Sequence, residues 1–280
     1  MKTVQRQYDL EENLLVVLVV YEMKIHESPS FNSLIKASSR KPTTFFIYDN
    51  SKIFQPIPST HCAIICHHDP TNPGVSKAYN EGYKIAKSSN KKWLLLADQD
   101  TEFPVNIFSD YSNAIKNYPD TKVFAPVLSD SMGLVSPFQL LWGKGRRIKE
   151  IKSGRHHFEK HKIINSGTLI STEAFENAGG YDERFSLDFS DVSFSDRLIV
   201  NYPSFVLIRS QCKHNLSATK EEKDLSKELA RFTLFCDAVR LYKKTSVRFI
   251  SIPWIVLPRA LKLCVRMKSI DFLKIAFKIR

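Results

Sequence analysis

The sequence predicts an α/β protein in which a mostly parallel sheet is flanked by helices. Apolar runs alternate with segments of helical periodicity along the first half of the chain. The apolar run that begins at Trp93 has no polar alternation, which is typical of a buried parallel strand. With 280 residues, 43% of them hydrophobic, the chain is long enough for one large domain and an appendage.

The first hundred residues follow the order strand, helix, strand, short strand, helix, strand. We predict strands at 14–21, 43–48, 61–68 and 93–100 and helices at 28–38 and from Asn72 onward, with Asn72 as the N-cap and Pro73 as the first helical residue. This order indicates a Rossmann-like sheet. Neither a dinucleotide-binding G-x-G-x-x-G nor a P-loop motif is present, which disfavours both of those functions.

The pattern continues beyond residue 100. We predict a helix at 104–118, strands at 123–128, 166–171 and 205–208, a short helix at 172–178, a helix from Asp191 capped by Ser190, and His214 in a polar turn. The basic stretch 144–155 is interpreted as a solvated loop, with a clamp for an anionic acceptor as the alternative.

Two aspartates end the Trp93 strand and mark the candidate site. Ligands of open α/β sheets bind beyond the carboxyl ends of strands, where Asp98 and Asp100 fall. Their carboxylates predict ligands for Mg²⁺ or Mn²⁺ bridging to phosphates, with an ordinary turn as the alternative. Asp49 ends another strand and predicts a contact to a base or ribose, or again a turn. For Asp191 and Arg197, the structural alternative is a capped helix with a surface salt bridge. For His214, it is a structural histidine.

The charge is concentrated at the carboxyl end. Residues 241–280 contain ten Lys or Arg and one acidic residue, a net +9 of the chain's +12. A nucleic-acid-binding domain would carry this charge on its folded part, so that function is disfavoured. An odd number of cysteines, five, and the absence of a signal-peptide pattern predict reduced thiols and a cytoplasmic location.

The order of these motifs resembles family 2 glycosyltransferases of the GT-A fold, in particular the rhamnosyltransferase-like subgroup. The resemblance covers about residues 14–217. It is carried by VVLVVYEMK, FFIYDNS, HHDPTNPGVSKAYNEGYKIA, WLLLADQDTEFP, NSGTLIS, GGYDERFSLDFSDVSFSDRL and the histidine of CKHNLS.

The resemblance implies a role for each matching residue. Asp49 would contact the base or ribose, Asn72, Gly74 and Asn80 would lie under the nucleotide, Asp98 would face the donor sugar and Arg197 the phosphates. Asp100, with Asp98 and His214, would bind Mn²⁺ or Mg²⁺. Asp191 would be the general base. Ser190 stands where many relatives have Glu, and Asp188 lies three residues before the base. Asp188 therefore competes with Asp191 for that role, and we favour Asp191.

The implied activity is inverting transfer of a sugar from a nucleotide-diphosphate donor to a lipid-linked saccharide in surface polysaccharide synthesis. The donor would be dTDP-rhamnose, UDP-galactofuranose or another UDP-hexose. The alternatives are a sugar nucleotidyltransferase of related fold, which would want a basic glycine-rich loop after the first strand, and a basic nucleic-acid-binding protein that is not an enzyme.

The chain is predicted to divide into a catalytic domain, 1–217, and a basic helical region, 218–280. A helix is predicted at 219–244, and the longest uncharged run beyond it, 249–258, is shorter than the about 20 residues of a membrane span. Basic amphipathic segments can lie on anionic membrane surfaces, and the resemblance to enzymes that extend lipid-linked saccharides implies that residues 245–280 dock the enzyme on the inner face of the plasma membrane. A helical cap that packs on the core is the alternative.

Overall fold

A computed structural model describes residues 9–38, 43–214 and 224–278 of the chain. The strands are β1 Leu14–Val20, β2 Thr44–Asp49, β3 Ala63–His68, β4 Trp93–Asp98, β5 Thr101–Glu102, β6 Val123–Asp130, β7 Gly133–Ser136, β8 Phe138–Leu141, β9 Lys144–Arg147, β10 Gly154–His157, β11 Leu169–Ser171 and β12 Ser204–His214. The helices are α1 Pro29–Ala37, α2 Val75–Ser88, α3 Ile107–Asn117, α4 Thr172–Asn177, α5 Ser190–Leu198, α6 Leu225–Thr245, α7 Ile252–Met267 and α8 Asp271–Phe277.

The main sheet has the strand order β10-β12-β6-β11-β4-β1-β2-β3, with β5 added to β12 and β7 to β6. Strands β4, β1, β2 and β3 run parallel, as do β6 and β12, whereas β11 runs antiparallel between β4 and β6. The carboxyl ends of β1, β2 and β4 therefore meet at one edge, and this edge carries the predicted site residues. The prediction of a mostly parallel α/β sheet flanked by helices is confirmed.

Helices cover both faces of the sheet because β1 is apolar at every position and is buried throughout. Alternate residues of β1 point to opposite faces. Leu14, Val16 and Leu18 pack with residues of α1 and α3, and Val17 and Val19 pack with residues of α2, α4 and α5. Gly82 of α2 lies where an added Cβ would come within 2.5 Å of the Val17 side chain, so the helix lies close on the sheet.

The start of α2 differs from its prediction. The helix begins at Val75, with Gly74 as its N-cap at φ 98°, and Asn72 lies in a left-handed conformation at φ 51° outside the helix. A Cβ at Gly74 would come within 2.1 Å of the Ser186 carbonyl oxygen, and the Val75 N–H donates to that oxygen at 2.8 Å. A contact distant in sequence therefore determines where this helix begins, and the predicted cap at Asn72 was wrong.

Three further local predictions were wrong. The basic stretch 144–155 is not a loop, because β9 pairs with β8 in a hairpin and β10 pairs with β12. Helix α5 begins at Ser190, whose hydroxyl donates to the Leu187 carbonyl at 2.8 Å instead of capping the helix. His214 is the buried last residue of β12, which is longer than predicted because it also pairs with β5.

The carboxyl-terminal region is helical, as predicted. Helices α6, α7 and α8 form a separate apolar core that also includes Phe185 and Val192 from the first domain and Phe138 from the hairpin. Within the described ranges, no helix is long and apolar enough to cross a membrane. The predicted boundary between residues 217 and 218, and the start of the predicted helix at 219, lie outside the described residues.

Candidate active site

The turn that carries Asp98 and Asp100 is held by a network of buried hydroxyl groups. Ser30 of α1 accepts a hydrogen bond from the Thr101 N–H at 2.9 Å, and the Thr101 hydroxyl lies 2.7 Å from that of Ser166. Ser166 also accepts from the Asp98 N–H at 3.2 Å. Because α1 and the segment that carries Ser166 both bind this turn, the two carboxylates have fixed positions at the end of β4.

Asp98 has a phenol as its hydrogen-bond donor. The Tyr79 hydroxyl of α2 donates to Asp98 Oδ1 at 2.7 Å. Burial, and then the negative charge of Asp100, raise the pKa of Asp98 to about 6, which the bond from Tyr79 partly offsets.

Asp100 has an oxygen that lacks a donor. Its Oδ1 is buried without a hydrogen-bond partner in the described structure, and the nearest basic atom, His214 Nδ1, lies 3.5 Å away. The same ring nitrogen lies 2.8 Å from the Thr101 hydroxyl. Burial raises the pKa of Asp100. An unpartnered buried carboxylate oxygen favours binding of a cation at this position.

The residues present fit a divalent cation that takes most of its ligands from a substrate. Among residues 9–38, 43–214 and 224–278, no group of three or more His, Cys, Asp or Glu side chains is arranged to hold a metal ion. Asp98, Asp100 and His214 therefore do not form the three-ligand cluster that was predicted. Mg²⁺ is commonly held by one or two carboxylates, together with water and phosphate oxygens, and the free oxygen of Asp100 suits this arrangement.

Asp191 lies in the first turn of α5. Its Oδ1 accepts a hydrogen bond from the Val192 N–H at 2.7 Å. Burial raises the pKa of Asp191 to about 7, and the negative charges of Asp98 and Asp188 add to the increase. A carboxylate whose pKa lies near neutrality is suited to general-base catalysis.

A buried aromatic layer connects the elements that carry Asp98 and Asp191. The Tyr181 ring stacks on Phe194 of α5 at 4.1 Å between centroids and lies 5.2 Å from the Tyr79 ring. The Tyr181 hydroxyl donates to Asn165, whose amide donates to the Ser190 hydroxyl at 3.2 Å. The sequence analysis missed this layer because Tyr79 matched only the apolar face of α2, and nothing in the sequence pairs it with Tyr181.

Asp188 lies among cations and not at the end of β4. It forms an ion pair with Arg231 of α6, and its other oxygen lies 3.9 Å from the Arg259 guanidinium of α7. Both carboxylate oxygens are thus occupied by arginines, which leaves Asp191 as the aspartate of this segment that is free to accept a proton.

Two of the three residues predicted to lie under a nucleotide, Gly74 and Asn80, connect α2 to the segment before α5. Gly74 lies against Ser186, and Asn80 donates to the Tyr181 carbonyl and to Glu183, both at 2.9 Å. Asn72 is exposed beside this contact. The structure thus assigns Gly74 and Asn80 a structural role in positioning the segment that carries Asp191.

Asp49 and Arg197 already bind the protein backbone. The fully buried Asp49 carboxylate accepts from the Ser51 N–H at 2.9 Å and the Gln55 N–H at 3.0 Å, as in the turn alternative. The Arg197 guanidinium donates to the Ala178 carbonyl at 3.1 Å and to the Gly180 carbonyl. It therefore forms no salt bridge with Asp191, and it braces the loop after α4.

The fold defines the chain as a protein with the GT-A glycosyltransferase fold. The crystal structure of S. aureus TarS 1-349 superposes with a TM-score of 0.55 at 11% sequence identity, covering 93% of this chain and 88% of that one. The crystal structure of GalNAc-T7 with UDP, GalNAc and Mn²⁺ superposes with a TM-score of 0.55 at 12% identity, covering 94% of this chain and 56% of that one.

At the level of sequence, the chain is similar to the dTDP-rhamnosyl transferase RfbF of Shigella flexneri. The two are 26% identical over 207 residues, which cover 71% of this chain and 67% of that protein. No protein-family model matches the sequence. The resemblance to rhamnosyltransferase-like glycosyltransferases of the GT-A fold is thus confirmed.

The raised pKa of Asp191 predicts that this carboxylate destabilises the fold at high pH. The pKa is 3.8 in the unfolded chain and about 7 in the native protein, so the native state binds the extra proton between these values and its stability falls as pH rises through them. We expect Asp191→Asn to raise the free energy of unfolding, by about 4 kcal/mol more at pH 8 than at pH 4.

Denaturant unfolding at both pH values measures this difference. Asp188→Asn is the matched control. It removes an ion-paired carboxylate and leaves two guanidinium groups without their partner, so it should lower stability. An Asp191→Asn protein whose gain is the same at both pH values would contradict the assignment of the raised pKa to this residue.

Proposed function

We propose that the protein is an inverting, metal-dependent glycosyltransferase that moves a sugar from a nucleoside-diphosphate donor to a hydroxyl of a lipid-linked saccharide. The observation that carries the proposal is the proximity of the carboxylates proposed to bind the donor and its cation to the carboxylate proposed as the base. Asp98 and Asp100 end β4, and Asp191, whose pKa is raised to about 7, lies near enough for the charge of Asp98 to contribute to that increase.

The donor would lie over the carboxyl ends of β1, β2 and β4. Asp100, with its unpartnered oxygen, would hold the divalent cation, and this ion would neutralise charge on the diphosphate. The similar proteins support a nucleotide sugar as donor, since RfbF is a dTDP-rhamnosyl transferase and TarS has been crystallised with UDP-GlcNAc. We favour dTDP-rhamnose, with UDP-galactofuranose and other UDP-hexoses as alternatives.

Asp191 acts as the general base. It accepts the proton of the acceptor hydroxyl while that oxygen forms a bond to the anomeric carbon of the donor. The bond from the anomeric carbon to the diphosphate breaks, and the nucleoside diphosphate leaves with the electron pair. Because attack and departure take place on opposite faces of the sugar, a single displacement inverts the anomeric configuration.

The donor site is tested by nucleotide binding to wild type, Asp100→Asn and Glu102→Gln. We expect calorimetry to show that dTDP or UDP binds wild type with Mn²⁺ and much more weakly with EDTA. Asp100→Asn should weaken the Mn²⁺-dependent binding by about 10- to 100-fold, as expected when a contact to a charged group is lost. Glu102, an exposed carboxylate two residues further on, serves as the matched control and should have no effect. Unchanged affinity in Asp100→Asn would refute this metal site.

The base and the stereochemistry are tested by transfer assays. Wild-type kcat/KM should rise with pH through about 7 as Asp191 loses its proton, and Asp191→Asn should lower kcat by about 10²- to 10⁴-fold. Nucleotide binding should persist in this variant, which separates catalysis from folding. NMR of the product should show an inverted anomeric centre. A retained configuration would be incompatible with the single displacement.

We propose further that the protein docks on the cytoplasmic face of the plasma membrane through α7 and the tip of the β8–β9 hairpin. Trp254, Leu261 and Val265 are exposed on one stripe of α7, and Trp142 of the hairpin lies 5.6 Å from Trp254, ring to ring. Lys144 of the hairpin lies over the Trp254 ring at 5.3 Å, which puts a cation beside the exposed tryptophans. Exposed apolar side chains beside basic ones are typical of surfaces that bind anionic bilayers.

Membrane docking is tested by flotation with phosphatidylglycerol vesicles at low salt. We expect wild type to bind, and a Trp254→Ser and Leu261→Ser double variant to bind about tenfold more weakly because less apolar area enters the bilayer. Ile53→Ser, at an exposed apolar side chain after β2, is the control. Failure of wild type to bind these vesicles would overturn the docking proposal.

A further inference from the structure

A groove of about 720 Å³ lies between the β8–β9 hairpin, α6, α7 and the segment that leads into α5. It is separate from the hydroxyl network that holds Asp98 and Asp100. Asp188 and Phe189, which precede α5, and Val192 of α5 line its wall. The groove therefore reaches the same helix turn that carries Asp191.

The charges in the groove are mostly positive. Its lining contains five cationic side chains, Lys144, Arg231, Arg259, Lys262 and Arg266, and two acidic ones, Asp188 and Glu228. Asp188 binds Arg231 and Arg259, and Glu228 binds Arg266 at 2.6 Å. Neither Lys144 nor Lys262 has a carboxylate partner within the described ranges, and the lining has more cations than carboxylates, so the groove has an excess of positive charge.

The cations are interleaved with apolar side chains. The Arg259 guanidinium lies 4.0 Å from the centre of the Phe235 ring, and Lys144 lies over the Trp254 ring at 5.3 Å. Trp254 in turn contacts Trp142, and both are exposed at the hairpin tip. A ligand that suits this lining has a compact anionic group for the cations and an apolar chain that continues over the two tryptophans.

The direction of α5 connects this groove to the base. Asp188, Phe189 and Val192 line the groove, and Asp191, in the same turn, lies near enough to Asp98 for the charge of Asp98 to act on it. A hydroxyl carried a short distance from an anion bound in the groove would therefore lie near the helix turn that carries Asp191.

We propose that this groove binds the phosphate-bearing end of the acceptor, an amphipathic phosphate or diphosphate ester, with Lys144, Arg259 and Lys262 as anion ligands. Asp188 holds Arg231 and Arg259 in place and is a positioning residue. Identifying this ligand as the acceptor rests on the proposed function. Binding of an apolar phosphate ester in the groove can be measured without assuming that function.

The experiment uses the full chain with farnesyl diphosphate as the probe, in the presence of saturating dTDP and Mn²⁺ so that the donor site is filled. Farnesol and inorganic pyrophosphate are titrated in parallel, which distinguishes an apolar phosphate ester from either part alone. The variant is Lys144→Ala with Lys262→Ala. The matched control, Lys243→Ala with Lys244→Ala, removes the same charge from an exposed part of α6 outside the groove.

We expect farnesyl diphosphate to bind wild type and the control equally, and to bind the groove variant at least about tenfold more weakly, as expected from the loss of charge-assisted hydrogen bonds. Farnesol and pyrophosphate should each bind more weakly than the ester. Equal affinities in the groove and control variants would overturn the proposal. Pyrophosphate binding as tightly as the ester would also overturn it, because the site would then recognise free phosphate alone.

Nucleotide binding, measured in the same proteins, keeps the two proposals apart. Suppose that nucleotide binding depends on Asp100 while farnesyl diphosphate binds the groove variant as tightly as wild type. The proposed function would then stand and the groove proposal would be overturned. If farnesyl diphosphate binding depends on Lys144 and Lys262 but the protein binds no nucleotide, the groove proposal would be supported and the glycosyltransferase function contradicted.

Discussion

Burial of the carboxylates of Asp98, Asp100 and Asp191 is the constraint on which the electrostatics of this sheet edge depends. Burial, and then the negative charge of neighbouring aspartates, raises the pKa of Asp98 to about 6 and that of Asp191 to about 7. Within the described ranges, no lysine or arginine forms an ion pair with them; Tyr79 donates to Asp98 and the Val192 N–H donates to Asp191, while Asp100 Oδ1 has no donor. The edge therefore favours a ligand that brings positive charge with it, such as a diphosphate bound with a divalent cation.

The first turn of α5 depends on the carboxyl-terminal helices. Phe189, the residue before α5, has a φ of 65°, a left-handed conformation that costs a bulky side chain about 1–3 kcal/mol. Its ring stacks on Tyr242 of α6 at 5.0 Å, and Asp188 beside it binds arginines of α6 and α7. Packing of the helical region thus stabilises the backbone that leads into the turn with Asp191, so this region forms part of the candidate site.

The sequence was sufficient for the sheet and for the carboxylates at its edge, because both follow from local patterns. Apolar runs such as Leu14–Val20 specify buried parallel strands, and Asp98 and Asp100 follow one directly. What it did not reveal depends on contacts between distant segments. Gly74 begins α2 because of Ser186, and the partners of Asp188 come from helices more than forty residues further on. No periodicity encodes such contacts, so the roles of Asp188, Asn80 and Tyr79 appear only in the folded chain.

The positive charge near the carboxyl end is kept apart from the buried carboxylates Asp98 and Asp100, and this separation agrees with different roles for the two parts of the site. Cations placed at Asp98 and Asp100 would pair with the carboxylates and occupy the oxygens that a divalent cation needs. The fold instead places lysines and arginines in α6, α7 and the hairpin, on the far side of α5. Helix α7 presents Lys262 and Arg266 to the groove and Trp254 and Leu261 to the exterior. On the proposed function, α7 would then bind both the anionic end of a lipid-linked acceptor and the membrane that contains its lipid chain. Asp191 would accept the proton of the acceptor hydroxyl between the groove and the donor.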